Sequence, residues 1–282
     1  MEVAKTVIEV RKLVRQARQQ GGTIGLVPTM GALHQGHVSL IEAAAGRCDF
    51  IVVSIFVNPT QFGPSEDFAK YPRPIEQDLA ICKDHGVDLV FTPSAEEMYG
   101  QGGLTWVEVE RLTSPLCGRF RPGHFRGVTT VCAKLFNIVL PDLAFFGQKD
   151  AQQAVVIRRM VKDLNMPLEI VVCPTVREPD GLAMSSRNRY LSPSHRGQAA
   201  TIYRALRHGE DEIRRGVKDA GKLADAITAI LRQVPGIAIQ YVSIVDAESL
   251  QPKDPVTGEV LVAVAVRIGS TRLIDNIVVD AG

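Results

Sequence analysis

Two histidines three residues apart follow a short apolar run near the start of the chain. Residues 28–37 read PTMGALHQGH and come directly after the segment IGLV. Gly31 and Gly36 let the backbone turn tightly and approach a ligand closely. A helix that begins near His37 directs its free N–H groups at an anion, and His34 and His37 are placed to donate hydrogen bonds to phosphate oxygens. A metal site, which needs further ligands, and an ordinary helix start are the alternatives.

Neutral amides form a second group of candidate ligands. Asn58 and Gln61 lie in the stretch FVNPTQF, and Gln153 lies in FFGQKDAQQ. Each stretch comes at the end of a predicted strand, so we expect Gln61 and Gln153 to face one crevice. Amides suit a small polar substrate that carries hydroxyl and carboxylate groups. Connecting loops with solvated amides are the alternative. Roles stay open for Asp67, Tyr71 and Arg73.

Cationic side chains gather in further stretches. Lys149 has the position and charge to grip a phosphate, and the adjacent Asp150 either caps a helix or contacts the ligand. The loop 184–190, MSSRNRY, places hydroxyl and guanidinium groups together, which suits a polyphosphate. The stretch 117–127, CGRFRPGHFRG, is either a flap that closes over an anionic ligand or a solvated basic loop. Its charged side chains are Arg119, Arg121, His124 and Arg126.

Composition limits the class of protein. The chain has 282 residues, of which 45% are hydrophobic and 22% charged, and its formal net charge is +1. We therefore expect a globular protein with no nucleic-acid or membrane partner. The N-terminus lacks the apolar core of a signal peptide, and no apolar run reaches the ~18 residues of a membrane span. The five cysteines are scattered and odd in number, which predicts free thiols in a cytoplasmic protein rather than disulfides or structural zinc.

Apolar, β-branched runs alternate with segments of helical period along the first two thirds of the chain. The predicted strands are 23–28, 50–57, 88–92, 143–146 and 169–176, and the predicted helices are 37–46, 75–84, 128–139 and 151–164. Strands that are almost continuously apolar are typical of a parallel sheet covered on both faces. The repeat of strand and helix predicts a doubly wound α/β domain that binds ligands at the carboxyl ends of its strands.

The pattern changes near residue 177. The polar segment that begins there is rich in turn formers and indicates a functional loop or a hinge. Two helices, at about 193–215 and 220–233, precede strands at 237–246 and 260–268 and a last apolar run at 274–279. We therefore predict a domain over 1–176 and a smaller C-terminal α+β domain over 177–282, which carries the loop MSSRN.

Taken in order, these stretches closely resemble the pantothenate synthetase family, the pantoate–β-alanine ligases. The motifs that carry the resemblance are PTMGALHQGH, FVNPTQF, YPR, RPGHF and AMSSRN, which span about residues 26–190. The family belongs to the nucleotidyltransferase superfamily of Rossmann-like folds, with a HIGH-type motif that corresponds to 34–37 and a KMSKS-type loop that corresponds to 184–187. The resemblance implies that pantoate attacks the α-phosphorus of ATP, and that β-alanine then attacks the pantoyl adenylate. Such a reaction needs no protein nucleophile, only positioning and charge stabilisation.

The resemblance also implies residue roles. The ATP-binding residues would be Met30, Gly31, Ala32, Leu33, His34, Gln35, Gly36, His37, Gly147, Gln148, Lys149, Asp150, Val176, Met184, Ser185, Ser186 and Arg187. Gln61 and Gln153 would bind pantoate, and Asn58 with Gln61 would bind β-alanine. The catalytic residues would be His37, His34, Lys149 and Arg187, with His37 as the acid or charge-stabilising partner of the departing pyrophosphate. Mg²⁺ would arrive with the ATP phosphates rather than at a metal site of the protein, and the family forms homodimers.

One position departs from the family pattern. The family usually reads Gly-Glu-Lys-Asp where this chain has Gly147-Gln148-Lys149-Asp150. Glutamine keeps the length and loses the charge, so an ionic role at position 148 is in doubt while Lys149 is unaffected. The alternatives to this ligase are a related nucleotidyltransferase that activates a different small acid and a nucleotide-sensing module without turnover.

Overall fold

Six short strands form the central sheet. In the computed structural model, which describes residues 1–64 and 66–282, they are β1 (Glu2–Ala4), β2 (Ile24–Thr29), β3 (Phe50–Ile55), β4 (Leu89–Phe91), β5 (Leu143–Gly147) and β6 (Glu169–Cys173). The order across the sheet is β1-β4-β3-β2-β5-β6, and each neighbouring pair is parallel. Parallel neighbours need crossover connections, and helices supply most of these.

The helices of this part of the chain are α1 (Val7–Gln19), α2 (Gln35–Ala45), α3 (Ile75–Asp84), α4 (Ala95–Tyr99), α5 (Cys117–Phe120), α6 (His124–Val139) and α7 (Ala151–Asp163).

Side chains of one strand alternate between the two faces of the sheet. Leu26 and Val52 belong to the core that contains α1, α6 and α7, whereas the next residues, Val27 and Val53, belong to the core under α2. Both faces are therefore buried, which explains the uninterrupted apolar strands.

The strand order reverses beside β2. This strand pairs with β3 on one side and with β5 on the other, because the chain runs from β2 through β3 to β4 and then returns to add β5 and β6 on the opposite side of β2. A crevice forms at the carboxyl ends of strands where the order reverses in this way, because the following loops diverge there. The fold thus provides a ligand cleft between the residues that follow β2 and those that follow β5.

The C-terminal part has its own antiparallel sheet. It consists of β7 (Ala238–Asp246), β8 (Glu259–Ile268) and β9 (Thr271–Asp280), covered by α8 (Pro193–Ala199), α9 (Thr201–Arg214) and α10 (Ala220–Leu231). Ile202 and Leu206 of α9 pack with Val262 and Val264 of β8 in a separate apolar core. None of the described helices is long and apolar enough to cross a membrane.

The structure confirms the predicted fold class, a doubly wound parallel sheet with a smaller α+β part. Each of the predicted strands is present, with shorter ends in several cases. The helix predicted at 37–46 begins at Gln35, because His34 caps it, and the helix predicted at 193–215 is divided at Ala200. The elements β1 and α1 were not predicted, and β1 has only three residues, too few to show a period. The domain boundary at residue 176 stays a prediction.

Candidate active site

A cleft of about 1370 Å³, part of it open to solvent, lies at the carboxyl ends of β2, β3, β5 and β6. The turn after β2 forms one wall, together with the loop after β5. The segment Met184–Arg187 approaches from the C-terminal side.

A buried carboxylate holds the turn between β2 and α2. Asp78 of α3 accepts hydrogen bonds from the backbone N–H groups of Ala32 and Leu33, both at 2.8 Å. Gly31 has a φ of +79°, and a Cβ there would lie 2.9 Å from Asp78 Oδ2. Glycine at position 31 is therefore required by both the backbone and the carboxylate. Asp78 fixes the path of the chain into His34.

The two histidines cap the helix that they begin. His34 Nδ1 accepts from the N–H of Gly36 at 3.1 Å, and His37 Nδ1 accepts from the N–H of His34 at 3.3 Å. An Nδ1 atom that accepts from a backbone N–H carries no proton, so in the neutral ring the proton lies on Nε2. Neither Nε2 atom bonds another residue in the described part of the chain, and both rings line the cleft. The segment His34–His37 thus begins a helix through the Nδ1 atoms of its histidines and leaves their Nε2–H groups available to ligand oxygens.

Both rings are neutral at physiological pH. Burial lowers the pKa of His34 to about 4, and the charge of Lys149 adds to this effect. Burial likewise lowers the pKa of His37 to about 3, with a further contribution from His34. The cleft therefore presents two neutral N–H donors rather than two imidazolium cations.

Two arginines of the cleft are paired with acidic side chains. Arg187 donates through Nε and a terminal nitrogen to both oxygens of Asp67, each at 3.1 Å. Arg121 binds Glu66 in the same bidentate way, at 2.7 Å. Lys149 has a looser partner, since its Nζ lies 3.7 Å from Asp150 Oδ2. Asp150 precedes α7, but its carboxylate makes no capping hydrogen bond with the described residues.

The basic stretch 117–127 divides between the cleft and the surface. Arg121 and His124 line the cleft, and His124 Nδ1 donates to the carbonyl of Gln61 at 2.8 Å while its Nε2 accepts from Arg121 at 2.9 Å. Arg119 and Arg126 are exposed, but they belong to α5 and α6, so these solvated side chains do not lie in a loop as expected. Closure of this stretch as a flap stays a prediction.

The amides form two layers. Gln61 and Gln153 line the cleft, whereas Asn58 is 1% exposed and lies behind Gln61. Asn58 Oδ1 accepts from the N–H of Thr60, so its Nδ2 faces Gln61 and donates to Gln61 Oε1 at 2.9 Å. Tyr99 also donates to Asn58 Oδ1, at 2.8 Å. Because Gln61 Oε1 accepts from Asn58 Nδ2, the NH₂ group of Gln61 is the part of its amide that faces the cleft.

Most of the residues predicted to bind ATP come together in the cleft. Those that line it are Met30, His34, Gly36, His37, Gly147, Lys149, Asp150, Val176, Met184, Ser185, Ser186 and Arg187. The others lie outside the lining. Gly31, Ala32 and Leu33 are buried beneath the turn, Gln35 is exposed at the start of α2, and Gln148 turns its side chain to Asn276 of β9.

Comparison with known proteins decides the family. The family profile described as pantoate-beta-alanine ligase matches residues 2–278. The chain belongs to the pantoate–β-alanine ligase family. The pantothenate synthetase of Moorella thermoacetica is 56% identical over 280 residues, 99% of each chain, and that of Thermotoga neapolitana is 53% identical over 276 residues, 98% of this chain and 99% of the other. The resemblance inferred from the motifs is thereby confirmed, extends over nearly the whole chain and makes the protein an enzyme.

Solved structures of pantoate–β-alanine ligases have the same fold. The pantothenate synthetase of Thermus thermophilus superposes with a TM-score of 0.94 at 46% identity, over 98% of this chain and 99% of that one. The ligase of Francisella tularensis, complexed with beta-gamma ATP and β-alanine, superposes with a TM-score of 0.81 at 36% identity, over 98% of this chain and 97% of the other. The present chain therefore has the fold of the solved ligases of its family.

Sequence reasoning about this ligase missed several residues that shape the cleft. Asp78 and Asn276 were not singled out, and the roles of Asp67 and Tyr71 were left open. Tyr71 is buried in the lining, where its hydroxyl lies 3.2 Å from Ser186 Oγ. These residues act through contacts between distant parts of the chain, so local spacing carries no signal for them. Asp67 had the clearest signal, because an acidic residue in the polar loop after β3 can pair with an arginine of the loop 184–190.

Proposed function

We propose that the chain condenses (R)-pantoate with β-alanine through an enzyme-bound pantoyl adenylate. In the first step a carboxylate oxygen of pantoate attacks the α-phosphorus of ATP, and the bond to pyrophosphate breaks. In the second step the amine of β-alanine attacks the acyl carbon, loses a proton and displaces AMP. The products are pantothenate, AMP and pyrophosphate.

The observation that carries the proposal is the arrangement of donors at the strand-order reversal. The Nε2–H groups of His34 and His37 face the same cleft as Lys149. A neutral N–H donor stabilises negative charge without first having to be protonated, so it is effective at pH 7. In the proposed reaction His37 donates to the departing pyrophosphate, while His34, Lys149 and Arg187 contact the phosphates.

The small acid binds beside these donors. We assign pantoate to Gln61 and Gln153, because both amides line the cleft and amides suit a small substrate that carries hydroxyl and carboxylate groups. β-Alanine binds next to Gln61. Asn58 contributes by holding the amide of Gln61, since its own side chain is buried and hydrogen-bonded to protein. Catalysis then depends on positioning and charge stabilisation.

The remaining assignments are part of the same proposal. ATP occupies the wall formed by the turn after β2, the loop after β5 and the segment Met184–Arg187. In the described part of the chain no three His, Cys, Asp or Glu side chains come together as a metal site. Mg²⁺ is assigned to the ATP substrate, bound by phosphate oxygens and water. A homodimer, a cytoplasmic location and the boundary at residue 176 stay predictions.

An isotope-exchange experiment tests the two-step reaction. With purified, folded protein, labelled pyrophosphate should enter ATP when pantoate is present and β-alanine is absent, because only the reverse of adenylate formation makes labelled ATP. Absence of exchange would contradict the proposal. A panel of other small carboxylic acids in the same assay identifies a related nucleotidyltransferase if one of them supports faster exchange. ATP binding in calorimetry without exchange for any acid would indicate a nucleotide-sensing module.

A further inference from the structure

One side chain of the C-terminal sheet holds the loop after β5. Asn276 of β9 is 5% exposed, and its Nδ2 donates to the backbone carbonyls of Gln148 and Lys149 at 3.0 and 2.8 Å. Its Oδ1 accepts from Gln148 Nε2 at 3.1 Å. The hydrogen-bonding groups of this buried amide are thus occupied by the loop.

The direction of each bond follows from the chemistry of the partners. Backbone carbonyls only accept, so Nδ2 of Asn276 has to face the two carbonyls. Its Oδ1 then faces position 148, where the partner must be a donor. Glutamine meets this requirement through Nε2, whereas a glutamate carboxylate would oppose an acceptor with an acceptor. Gln148 and Asn276 are therefore a chemically matched pair.

The two carbonyls belong to the peptide groups on either side of the Lys149 Cα. A peptide group is planar, so holding both carbonyl oxygens fixes the orientation of both planes. The φ and ψ of Lys149, and with them the direction of its Cα–Cβ bond, are then set by Asn276. Lys149 has a long, flexible side chain, and a fixed starting direction restricts where its ammonium group can reach.

The backbone of Asn276 is itself held in place by hydrogen bonds. The backbone N–H of Asn276 donates to the buried carboxylate of Asp275 at 2.8 Å, and its carbonyl accepts from Arg177 at 3.3 Å. Arg177 and Asp275 form a bidentate pair at 2.6 and 3.0 Å, in which Asp275 is 3% exposed. A buried pair of this geometry holds β9 against the segment that precedes the loop 184–187.

We propose that Asn276 is a positioning residue for Lys149, through which the C-terminal sheet sets the phosphate-binding geometry of the first domain. This inference rests on the proposed function, in which Lys149 contacts the phosphates of ATP. It also assigns a role to the neutral amide of Gln148, which donates to Asn276 Oδ1 and so helps to fix the orientation of the Asn276 side chain.

A double-mutant cycle in the pyrophosphate-exchange assay tests the proposal. Asn276→Ala should lower kcat for exchange by about 10- to 100-fold, the effect of a displacement of about 1 Å in a positioned group. The KM for pantoate should stay unchanged, because Gln61 and Gln153 are untouched. In a Lys149→Ala background the same substitution should add little, since a residue that acts through Lys149 has nothing left to position. The proposal would be overturned if Asn276→Ala lowered kcat by the same factor in the wild type and in Lys149→Ala, or if Asn276→Ala exchanged pyrophosphate at the wild-type rate.

Two further variants separate positioning from loss of stability. Val279→Ala removes buried apolar volume from β9 without touching the loop, so it should lower the melting temperature and leave kcat unchanged. Gln148→Leu removes the donor to Asn276 Oδ1, leaves Asn276 in place and should lower kcat by a smaller factor than Asn276→Ala, because the two carbonyl bonds remain. A wild-type rate in Gln148→Leu would contradict the role of Gln148 even if Asn276→Ala fails to fold.

Hydrogen–deuterium exchange gives a readout that is independent of turnover. The peptide that spans residues 147–151 should exchange faster in Asn276→Ala than in the wild type, and should be unchanged in Val279→Ala. If the wild type shows no pyrophosphate exchange, the proposed function fails, and this measurement still decides whether Asn276 orders the loop. Equal exchange of the peptide in both proteins would overturn the positioning role.

Discussion

Replacing His37 by asparagine and, separately, by glutamine distinguishes the two roles that the structure gives its ring nitrogens. Nδ1 accepts from the N–H of His34 and caps α2, while Nε2–H faces the cleft. Asparagine places an acceptor oxygen at the position of Nδ1 and has no group at the position of Nε2. Glutamine carries an amide nitrogen to the distance of Nε2 and loses the short acceptor.

The two losses have different sizes and different observables. Loss of one preorganised donor to a developing charge costs about 3 kcal/mol, a factor on the order of 100 to 1000 in kcat. Loss of a helix cap costs about 1 kcal/mol of stability. For a chain of this size, that corresponds to a decrease of about 2–4 °C in melting temperature. His37→Asn should therefore lose on the order of 100- to 1000-fold in kcat and keep the wild-type melting temperature. His37→Gln should melt at a lower temperature and keep more of the wild-type kcat than His37→Asn does.

The assay is pantoate-dependent pyrophosphate exchange, together with thermal denaturation of each variant. His37→Ala is the reference, since it should show both losses at once. If His37→Asn keeps the wild-type melting temperature and loses less than about fivefold in kcat, His37 is not the donor that the proposed reaction requires. If His37→Gln melts like the wild type, the capping role of Nδ1 is refuted.

Other perturbations follow from the same geometry. Because unfolded histidine binds a proton near pH 6.5, whereas the folded pKa values of His34 and His37 are about 4 and 3, the unfolding free energy should fall as pH decreases from 6.5 to 4. Denaturant titrations over this range measure the slope, which should be shallower in a variant without His34. The pH profile of kcat/KM for ATP should show no ionisation of these two groups between about pH 5 and 8; a loss of activity caused by either one there would refute the neutral-donor reasoning. Asp78→Asn sets an NH₂ group against a backbone N–H and should cost about 1–3 kcal/mol, visible as a lower melting temperature, so an unchanged value would contradict the role of Asp78. Arg187→Lys loses the planar, bidentate geometry seen with Asp67 and should raise the KM for ATP, and an unchanged KM would remove Arg187 from the ATP site.

The parts that the sequence predicted are those whose cause is local. Apolar runs with both faces buried identify β2 and β3 without knowledge of their partners. The turn that carries His34 and His37 is identified by its glycines and by its place after a strand. The three-residue β1 and the division of the long predicted helix at Ala200 have no comparable pattern.

The parts that the sequence could not predict depend on contacts between distant residues. Asp78 lies 46 positions from Ala32, and an acidic residue in the first turn of a helix is ordinarily solvated. Asn276 lies 128 positions from Gln148. The sequence showed what Gln148 had lost, a negative charge. Only the structure shows what Gln148 supplies, which is an N–H donor to Oδ1 of Asn276, whose Nδ2 already donates to two backbone carbonyls.

The distribution of charge in the cleft bears on where the catalytic effect arises in the proposed reaction. Arg187 and Arg121 are paired with Asp67 and Glu66, and the histidines are neutral, so the cleft is less positive than its residue types suggest. Neutral donors interact moderately with ATP as it binds and more strongly with a group that gains charge. Because only interactions that strengthen in the transition state accelerate the chemical step, uncharged N–H groups at the leaving pyrophosphate are better placed to raise kcat than fixed cations that bind ATP and products equally. The low pKa of His37 is then a catalytic property of the site and also a consequence of its burial.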